Sequence, residues 1–399
     1  MVYSRMKRIF ALAAMSLLLS ADLAKAQSFF ADFAADPATG VDKGSTSRLR
    51  KVEENTGYLT FTSNGAEELG PYNAAVGMSL PDFAAAGDQF DAVLFISGLS
   101  ENDEIELAAL GLGYRLQVPD TGVTLFASAD HGEYRLGSSE GLALDIRGEQ
   151  TNFAIGARRL AASENSRVLA SLEFALRDSS AEALGRTVVE EDLRLVRAAL
   201  QRDTGQLFRF RTRLAISATK GLGGFGASAE NSLLGSAPGS TANFLRIAFS
   251  AEASVPVSRR VLVNAGIVGQ WTEDSLPISQ RCGYGTNTYA RGFDQSFVNG
   301  DRCLGSRVEL AYNFKLPSLE AKRLDLRQGF FGIDGGWTED LGNAVLTGNT
   351  DNWSSASIGY RTAIGDYLGE LSVTHILDEP VGAIEQDATR VWFRLALRF

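Results

Sequence analysis

Apolar residues alternate with residues of any kind along much of the chain, in segments of about ten. The last segment shows this most clearly, because one face is apolar and the other carries three arginines. The apolar face consists of Val391, Phe393, Leu395, Leu397 and Phe399. The opposite face consists of Arg390, Trp392, Arg394, Ala396 and Arg398. A soluble sheet would have to crowd those arginines together, whereas a water-filled lumen accommodates them. The segment therefore predicts a strand of a transmembrane barrel.

The same alternation recurs upstream and predicts an all-β fold, a transmembrane antiparallel β-barrel of about sixteen strands spanning residues 51–399. An even number is typical of single-chain bacterial barrels. The predicted strands lie at approximately 56–64, 72–80, 89–97, 104–116, 122–130, 147–160, 167–177, 189–202, 206–219, 241–254, 260–272, 304–316, 329–338, 353–362, 367–377 and 389–399.

The connections alternate in length. Those after even-numbered strands are mostly tight, as at 203–205 and 363–366, whereas 220–240 and 273–303 follow odd-numbered strands. Short periplasmic turns and longer external loops distinguish outer-membrane barrels. The rhythm therefore predicts a Gram-negative outer-membrane protein with both barrel ends in the periplasm and lipid around the wall.

The N-terminus has the three parts of a secretory signal peptide. Arg5, Lys7 and Arg8 precede an apolar run at 9–19, and Ala24-Lys25-Ala26 provides small residues for cleavage. We expect residues 1–26 to be a signal peptide. Residues 27–50 then form either a lead-in, which we favour, or a short segment that plugs the barrel.

Composition narrows the function classes. A net charge of −10 disfavours a nucleic-acid surface. The sequence contains no phosphate loop, dinucleotide fingerprint or cluster of metal ligands, so no cofactor or metal is expected. Neither of the two histidines is expected to be catalytic. For His131, the neighbouring Asp130 cannot orient the imidazole, because adjacent residues on one strand point to opposite faces. We therefore expect no catalytic residues and no enzyme.

Charged residues concentrate on the face that we assign to the lumen. Strand parity predicts that the wall is lined by Arg209, Arg211, Arg213, Arg307, Glu309 and Arg394. Such a wall is compatible with a passive channel that favours anions, or with a purely structural barrel. This remains the alternative to the interpretation that follows.

The longest loop, between the predicted strands eleven and twelve, contains the most informative motif. It includes Ala290-Arg291-Gly292-Phe293, followed by Gly300-Asp301 and a strand in which Arg307 and Glu309 alternate with apolar residues. These features resemble the two-partner secretion transporters, also called haemolysin-activation proteins, whose sixth loop carries a Val-Arg-Gly-Tyr/Phe tip. The resemblance implies a barrel that exports a partner polypeptide, with this loop folded inward as a lumen plug.

A second match lies on the thirteenth predicted strand. The family carries Phe-x-Asp-x-Gly there, and this chain has Asp334 and Gly336, although Gly332 occupies the position of the leading Phe. The resemblance implies that Arg291, Gly292 and Phe293 form a loop latch with Asp334 and Gly336. We expect a bidentate guanidinium–carboxylate pair between Arg291 and Asp334.

The only two cysteines, Cys282 and Cys303, bracket the same loop. Export places them in an oxidising compartment, so we expect a disulfide that ties the two stems of the loop together.

The resemblance also implies partners and a domain organisation. A chain that ends on an aromatic residue, here Phe399, resembles the C-terminal signal read by the barrel-assembly machinery. Family members carry two periplasmic POTRA (polypeptide-transport-associated) domains before the barrel, and residues 27–50 are too few to hold one. We therefore expect the barrel domain alone, with a secreted polypeptide as its cargo.

Overall fold

The computed structural model describes residues 55–399 apart from 64, 66–68, 100–103, 164–165, 208–209, 230–231, 233, 286–288, 295–297, 315–324, 343–349 and 381–386. The expected signal peptide (1–26) and lead-in or plug segment (27–50) lie outside the described residues. Arg209, expected to line the lumen, lies outside them too.

Sixteen strands form one closed antiparallel barrel, which confirms the predicted fold class. A short hairpin of two further strands, β12 and β13, lies within the connection between β11 and β14. The strands are β1 (Thr56–Thr62), β2 (Tyr72–Pro81), β3 (Asp88–Gly98), β4 (Ile105–Val118), β5 (Val123–Arg135), β6 (Arg147–Ala162), β7 (Ser166–Ala183), β8 (Arg186–Leu207), β9 (Phe210–Gly221), β10 (Leu245–Pro256), β11 (Val261–Thr272), β12 (Cys282–Tyr284), β13 (Val298–Gly300), β14 (Arg302–Asn313), β15 (Asp325–Glu339), β16 (Thr350–Ile364), β17 (Tyr367–Asp378) and β18 (Thr389–Arg398).

The two faces of the wall follow the alternation in the sequence. On β18 the side chain of Val391 is 64% exposed and that of Leu395 is 55% exposed, whereas Trp392 between them is buried. Large apolar side chains are exposed in the same way on strands around the barrel, as at Leu110 and Ile358. Because lipid is the medium that covers such a surface, these residues mark the outer face of the wall.

The seventh and eighth strands extend further than the alternation predicts. They form one long hairpin that ends in a two-residue turn, where Leu184 and Gly185 have φ angles of 52° and 69°. Two positive φ angles are the geometry of a tight hairpin turn. The expected loop near 178–188 is therefore strand. The alternation hides it because Asp178 and Glu182 occupy outward-facing positions where apolar residues would have signalled lipid.

The barrel closes between its first and last strands. β1 pairs with β18 over five residues, from Tyr58 opposite Arg398 to Thr62 opposite Arg394. Beyond them, the N–H of Phe399 donates to the carbonyl of Gly57, 2.9 Å away. A Cβ atom on Gly57 would lie 2.3 Å from the Phe399 ring, so glycine leaves room for the ring to pack against β1. In the part of the chain that the structure describes, no helix has the length and apolar character needed to cross a membrane.

The connection from β11 to β14 is folded rather than extended. It begins with a single 3-10 turn at Ile278–Gln280 and continues into the β12–β13 hairpin, in which Cys282 lies opposite Gly300. A disulfide joins Cys282 to Cys303 at the start of β14, which confirms the expected pairing. We call the segment 290–294, which lies between β12 and β13, the tip. The disulfide fixes the base of the loop to the wall and leaves the tip free of covalent restraint.

Candidate functional site

The tip lies inside the barrel. Ala290 and Phe293 are fully buried and Arg291 is 3% exposed, although all three belong to a loop. Ala290 and Phe293 pack in one apolar cluster with Trp353 of β16 and Ile376 of β17. The N–H of Phe293 donates to the carbonyl of Ala290 at 3.0 Å, so the tip is a compact turn against the inner wall.

Glycines allow the tip to approach the wall closely. A Cβ atom on Gly292 would lie 2.9 Å from side-chain carbon atoms of both Ser355 and Ile376. The N–H of Gly292 donates to Ser355 Oγ at 3.3 Å. On β15, a Cβ atom on Gly336 would lie 2.6 Å from the indole of Trp353. Gly336 therefore contributes by leaving room for Trp353, against which the Phe293 ring packs edge-on.

The Arg291 guanidinium is held by the wall on several sides. Nη1 donates to Glu309 Oε2 at 3.2 Å and lies 3.4 Å from Ser357 Oγ. The guanidinium carbon is 4.9 Å from the centre of the Phe330 ring and 5.9 Å from that of Trp392, which are cation–π distances. β14, β15, β16 and β18 therefore all contribute to one pocket for a single loop side chain.

Glu309 is the centre of this arrangement. Its carboxylate is fully buried, and Oε2 also accepts hydrogen bonds from Arg307 Nη2 at 2.6 Å and Arg361 Nη2 at 2.7 Å. Asn264 Nδ2 donates to the other oxygen at 3.1 Å. A buried charge is tolerated when it is paired and its lone pairs are engaged. Two arginines of the wall satisfy Glu309 even without the contribution of the tip.

Asp334 does not form the expected pair with Arg291. It lies directly opposite Arg307 in the register of β14 and β15, and Arg307 Nε is 3.8 Å from Asp334 Oδ1. No hydrogen bond joins the buried Asp334 carboxylate to the Arg291 guanidinium, and the part of Arg291 that approaches Asp334 is its main-chain N–H. The prediction of a bidentate Arg291–Asp334 latch was therefore wrong. A wall arginine already faces Asp334, and the loop arginine reaches the carboxylate two residues further along the neighbouring strand.

A second ion pair attaches the tip to the last strand, and the sequence reasoning missed it. Asp294 is 5% exposed, and both of its carboxylate oxygens accept from the guanidinium of Arg390 on β18. Strand parity placed Arg390 on the lumen face, and Asp294 directly follows the Arg-Gly-Phe motif. These two facts indicate that both residues can face the lumen, but they do not predict that the two form a pair.

Side chains of the wall hold the first part of the β11–β14 loop, mainly through its main-chain carbonyls. Arg177 of β7 donates to the carbonyl of Ser279 at 3.1 Å, and Arg246 of β10 donates to the carbonyl of Gln280 at 2.9 Å. Ser279 Oγ donates to Glu191 of β8 at 2.5 Å. These contacts hold the 3-10 turn against β7, β8 and β10, whereas the tip contacts β14–β18.

Asp301 links the β11–β14 loop to the connection between β15 and β16. Its carboxylate is fully buried and accepts from the N–H groups of Leu276 and Leu341, at 2.8 and 2.7 Å, while Arg281 Nε lies 3.3 Å away. Burial raises the pKa of Asp301 above its ordinary value, and Arg281 opposes that shift. Arg281 also donates to both oxygens of Asp340, so one arginine bridges two acidic loop residues.

The remaining arginines predicted to line the lumen lie away from the tip. Arg213 Nε is 3.0 Å from Asp203 Oδ1 and Arg211 is exposed, both on β9. Arg394 is half-buried and lies opposite Glu370 in the register of β17 and β18. These side chains line the wall, but the structure does not bring them into the site.

A closed sixteen-strand barrel, with a long loop whose motif-bearing tip is held inside by ion pairs, defines an outer-membrane barrel with an inward-folded loop. The model of the haemolysin secretion/activation protein family ShlB/FhaC/HecB matches residues 36–362, and the chain belongs to that family. The barrel therefore resides in the outer membrane.

Individual relatives agree with this membership. The outer membrane transporter CdiB of Escherichia coli O6:K15:H31 (strain 536 / UPEC) is 27% identical over 183 residues, which cover 45% of this chain and 29% of that protein. The structure of CdiB from Escherichia coli superimposes with a TM-score of 0.73 at 16% identity, covering 89% of this chain and 64% of that one. CdiB from Acinetobacter baumannii gives 0.68 at 14% identity, covering 88% and 61%. The chain thus spans less than a third of the curated relative and under two thirds of each solved chain.

Proposed function

We propose that this barrel exports a partner polypeptide across the outer membrane and that the β11–β14 loop is the movable plug of its pore. Membership of a secretion family gives the class of function. The observation that carries the mechanism is the Arg291–Glu309 contact, because it attaches a loop residue to the inner wall through hydrogen bonds rather than through a covalent link.

The charges around Glu309 support a plug that can leave and return. Removing one partner of an isolated buried ion pair costs about 3–5 kcal/mol, since the other charge is left uncompensated. Glu309 keeps Arg307 and Arg361 when Arg291 withdraws, so the wall remains neutralised. Departure of the tip therefore costs less than breaking a lone buried pair.

Further parts of the account follow from the family and remain proposals. Residues 1–26 direct export and are then removed, residues 27–50 precede the barrel, which occupies 51–399, and lipid surrounds the apolar outer face. The barrel-assembly machinery recognises the last strand through Phe399, and the chain has no catalytic role. Asp334, although its carboxylate does not pair with the Arg291 guanidinium, belongs to the charged wall that the tip contacts.

The alternative of an anion-favouring channel has less support. Arg213 is paired with Asp203, and Arg307 with Glu309, so these arginines do not present free positive charge to the lumen. The inward-folded loop would also obstruct passive flow.

Gene deletion followed by mass spectrometry of the secreted and surface-exposed proteins tests the proposal. We expect one large polypeptide to disappear from both fractions and to return when the wild-type gene is restored. An unchanged set of exported proteins would refute the export function. If the deletion changed only the uptake of small solutes and left the exported proteins unchanged, the channel would be favoured.

A further inference from the structure

The tip is attached to the wall by two ion pairs of opposite polarity. At Arg291 the loop supplies the cation and Glu309 of β14 supplies the anion. At Asp294 the loop supplies the anion and Arg390 of β18 supplies the cation. The two loop residues are three positions apart, on either side of Gly292 and Phe293.

The Asp294–Arg390 contact has the geometry of a strong pair. Two guanidinium nitrogens address two carboxylate oxygens, with Nη2 3.2 Å from Oδ2, and the Asp294 side chain is 6% exposed. Paired hydrogen bonds of this kind fix orientation as well as distance. The contact therefore determines the direction in which the tip points, whereas one ion pair alone would leave the tip able to pivot.

We propose that Asp294 and Arg390 are a second positioning pair, which holds the distal part of the tip against β18 and must separate independently of Arg291 and Glu309 before the pore opens. This inference rests on the proposed function only in treating the loop as a plug. Because the anchors have opposite polarity, a cargo segment that replaced the tip on both wall residues would have to offer a cation to Glu309 and an anion to Arg390.

Planar-bilayer recordings of the purified, full-length barrel test the proposal without any cargo. Asp294→Asn and Arg390→Gln each remove one partner, and D294R/R390D exchanges the charges. The matched control is Asp91→Asn, because the Asp91–Arg115 pair on β3 and β4 has side-chain exposures of 7% and 23%, against 6% and 23% for Asp294 and Arg390. Heat-modifiable migration on gels checks that each variant folds.

We expect each single variant to raise the fraction of time spent open by about tenfold relative to Asp91→Asn. The charge exchange should bring that fraction back to within about twofold of wild type. If Asp294→Asn matched Asp91→Asn, or if the exchange were as leaky as either single change, the second anchor would be refuted. Should Arg390→Gln fail to assemble, Asp294→Asn, which alters only the loop, carries the test. Loss of this anchor would leave the export proposal standing, since that is tested separately by gene deletion.

Discussion

Arg291 Nη1 lies 3.2 Å from Glu309 Oε2 inside the barrel, and this contact joins the tip of the longest external connection to wall strand β14. Arg307 and Arg361 donate to the same oxygen, so Glu309 organises three guanidinium groups. The loop arginine is therefore an additional partner of a wall network that is satisfied without it. If the loop is the plug that we propose, this arrangement makes its closed state specific and still reversible.

Glu309→Gln should open the pore. The change removes the anion that three arginines share, and their mutual repulsion then favours expulsion of the one on the loop. Loss of one partner of a buried pair costs about 3–5 kcal/mol, so conductance bursts in planar bilayers should become at least about tenfold more frequent. Glu252→Gln is the control, because Glu252 is a 43% exposed carboxylate 3.9 Å from Arg213. If both variants behaved alike, Glu309 would have no special role in plugging.

Replacing Cys282 and Cys303 with serine should loosen the loop without unfolding the barrel. The disulfide closes a sequence separation of 21 residues, and a loop of that size loses roughly 3 kcal/mol of restraint when it is opened. We expect faster tryptic cleavage after Arg291 in outer-membrane vesicles, with little change in the temperature of barrel unfolding on gels. A clear drop in the unfolding temperature without faster cleavage after Arg291 would show that the disulfide supports the wall rather than the loop.

Gly292→Val should displace the tip. The added side chain would meet Ser355 and Ile376, whose nearest carbon atoms lie 2.9 Å from the position of a Cβ. A tip that cannot pack against the wall should leave the pore open for a larger fraction of the time, and planar-bilayer recordings measure that fraction. Gly224→Val serves as the control, since nothing lies within 4 Å of a Cβ at that loop position. Equal conductance in the two variants would indicate that close packing of the tip is unimportant.

Deleting Phe399 should reduce the amount of folded barrel in the outer membrane. The deletion removes the N–H and carbonyl that bond to Gly57, and with them the aromatic ring that closes the seam. Heat-modifiable migration measures the folded fraction, and Phe399→Tyr, which keeps the ring and the main chain, should assemble normally. Normal assembly of the deletion would show that the assembly machinery does not require this residue.

Much of the fold was predictable from the sequence, because lipid on one side and lumen on the other impose a period of two that is readable within each strand. The pattern failed at β7 and β8, where Asp178 and Glu182 face outward at positions that carry no apolar signal. At the site, the motif indicated that Arg291 is special but assigned it to Asp334. Parity tells which face a carboxylate occupies, whereas the choice between Glu309 and Asp334 depends on the register of β14 against β15, where Arg307 lies opposite Asp334.

Accessibility of the tip from outside the cell tests the central claim most directly. Ala290 is fully buried and Phe225, in the β9–β10 loop, is 86% exposed, so Ala290→Cys and Phe225→Cys are matched probes for a membrane-impermeant maleimide on intact cells. The native cysteines are joined in a disulfide and do not react. We expect rapid labelling at position 225, little at 290, and increased labelling at 290 when Glu309→Gln is added. Equally rapid labelling at both positions in the otherwise wild-type protein would contradict a tip held inside the barrel.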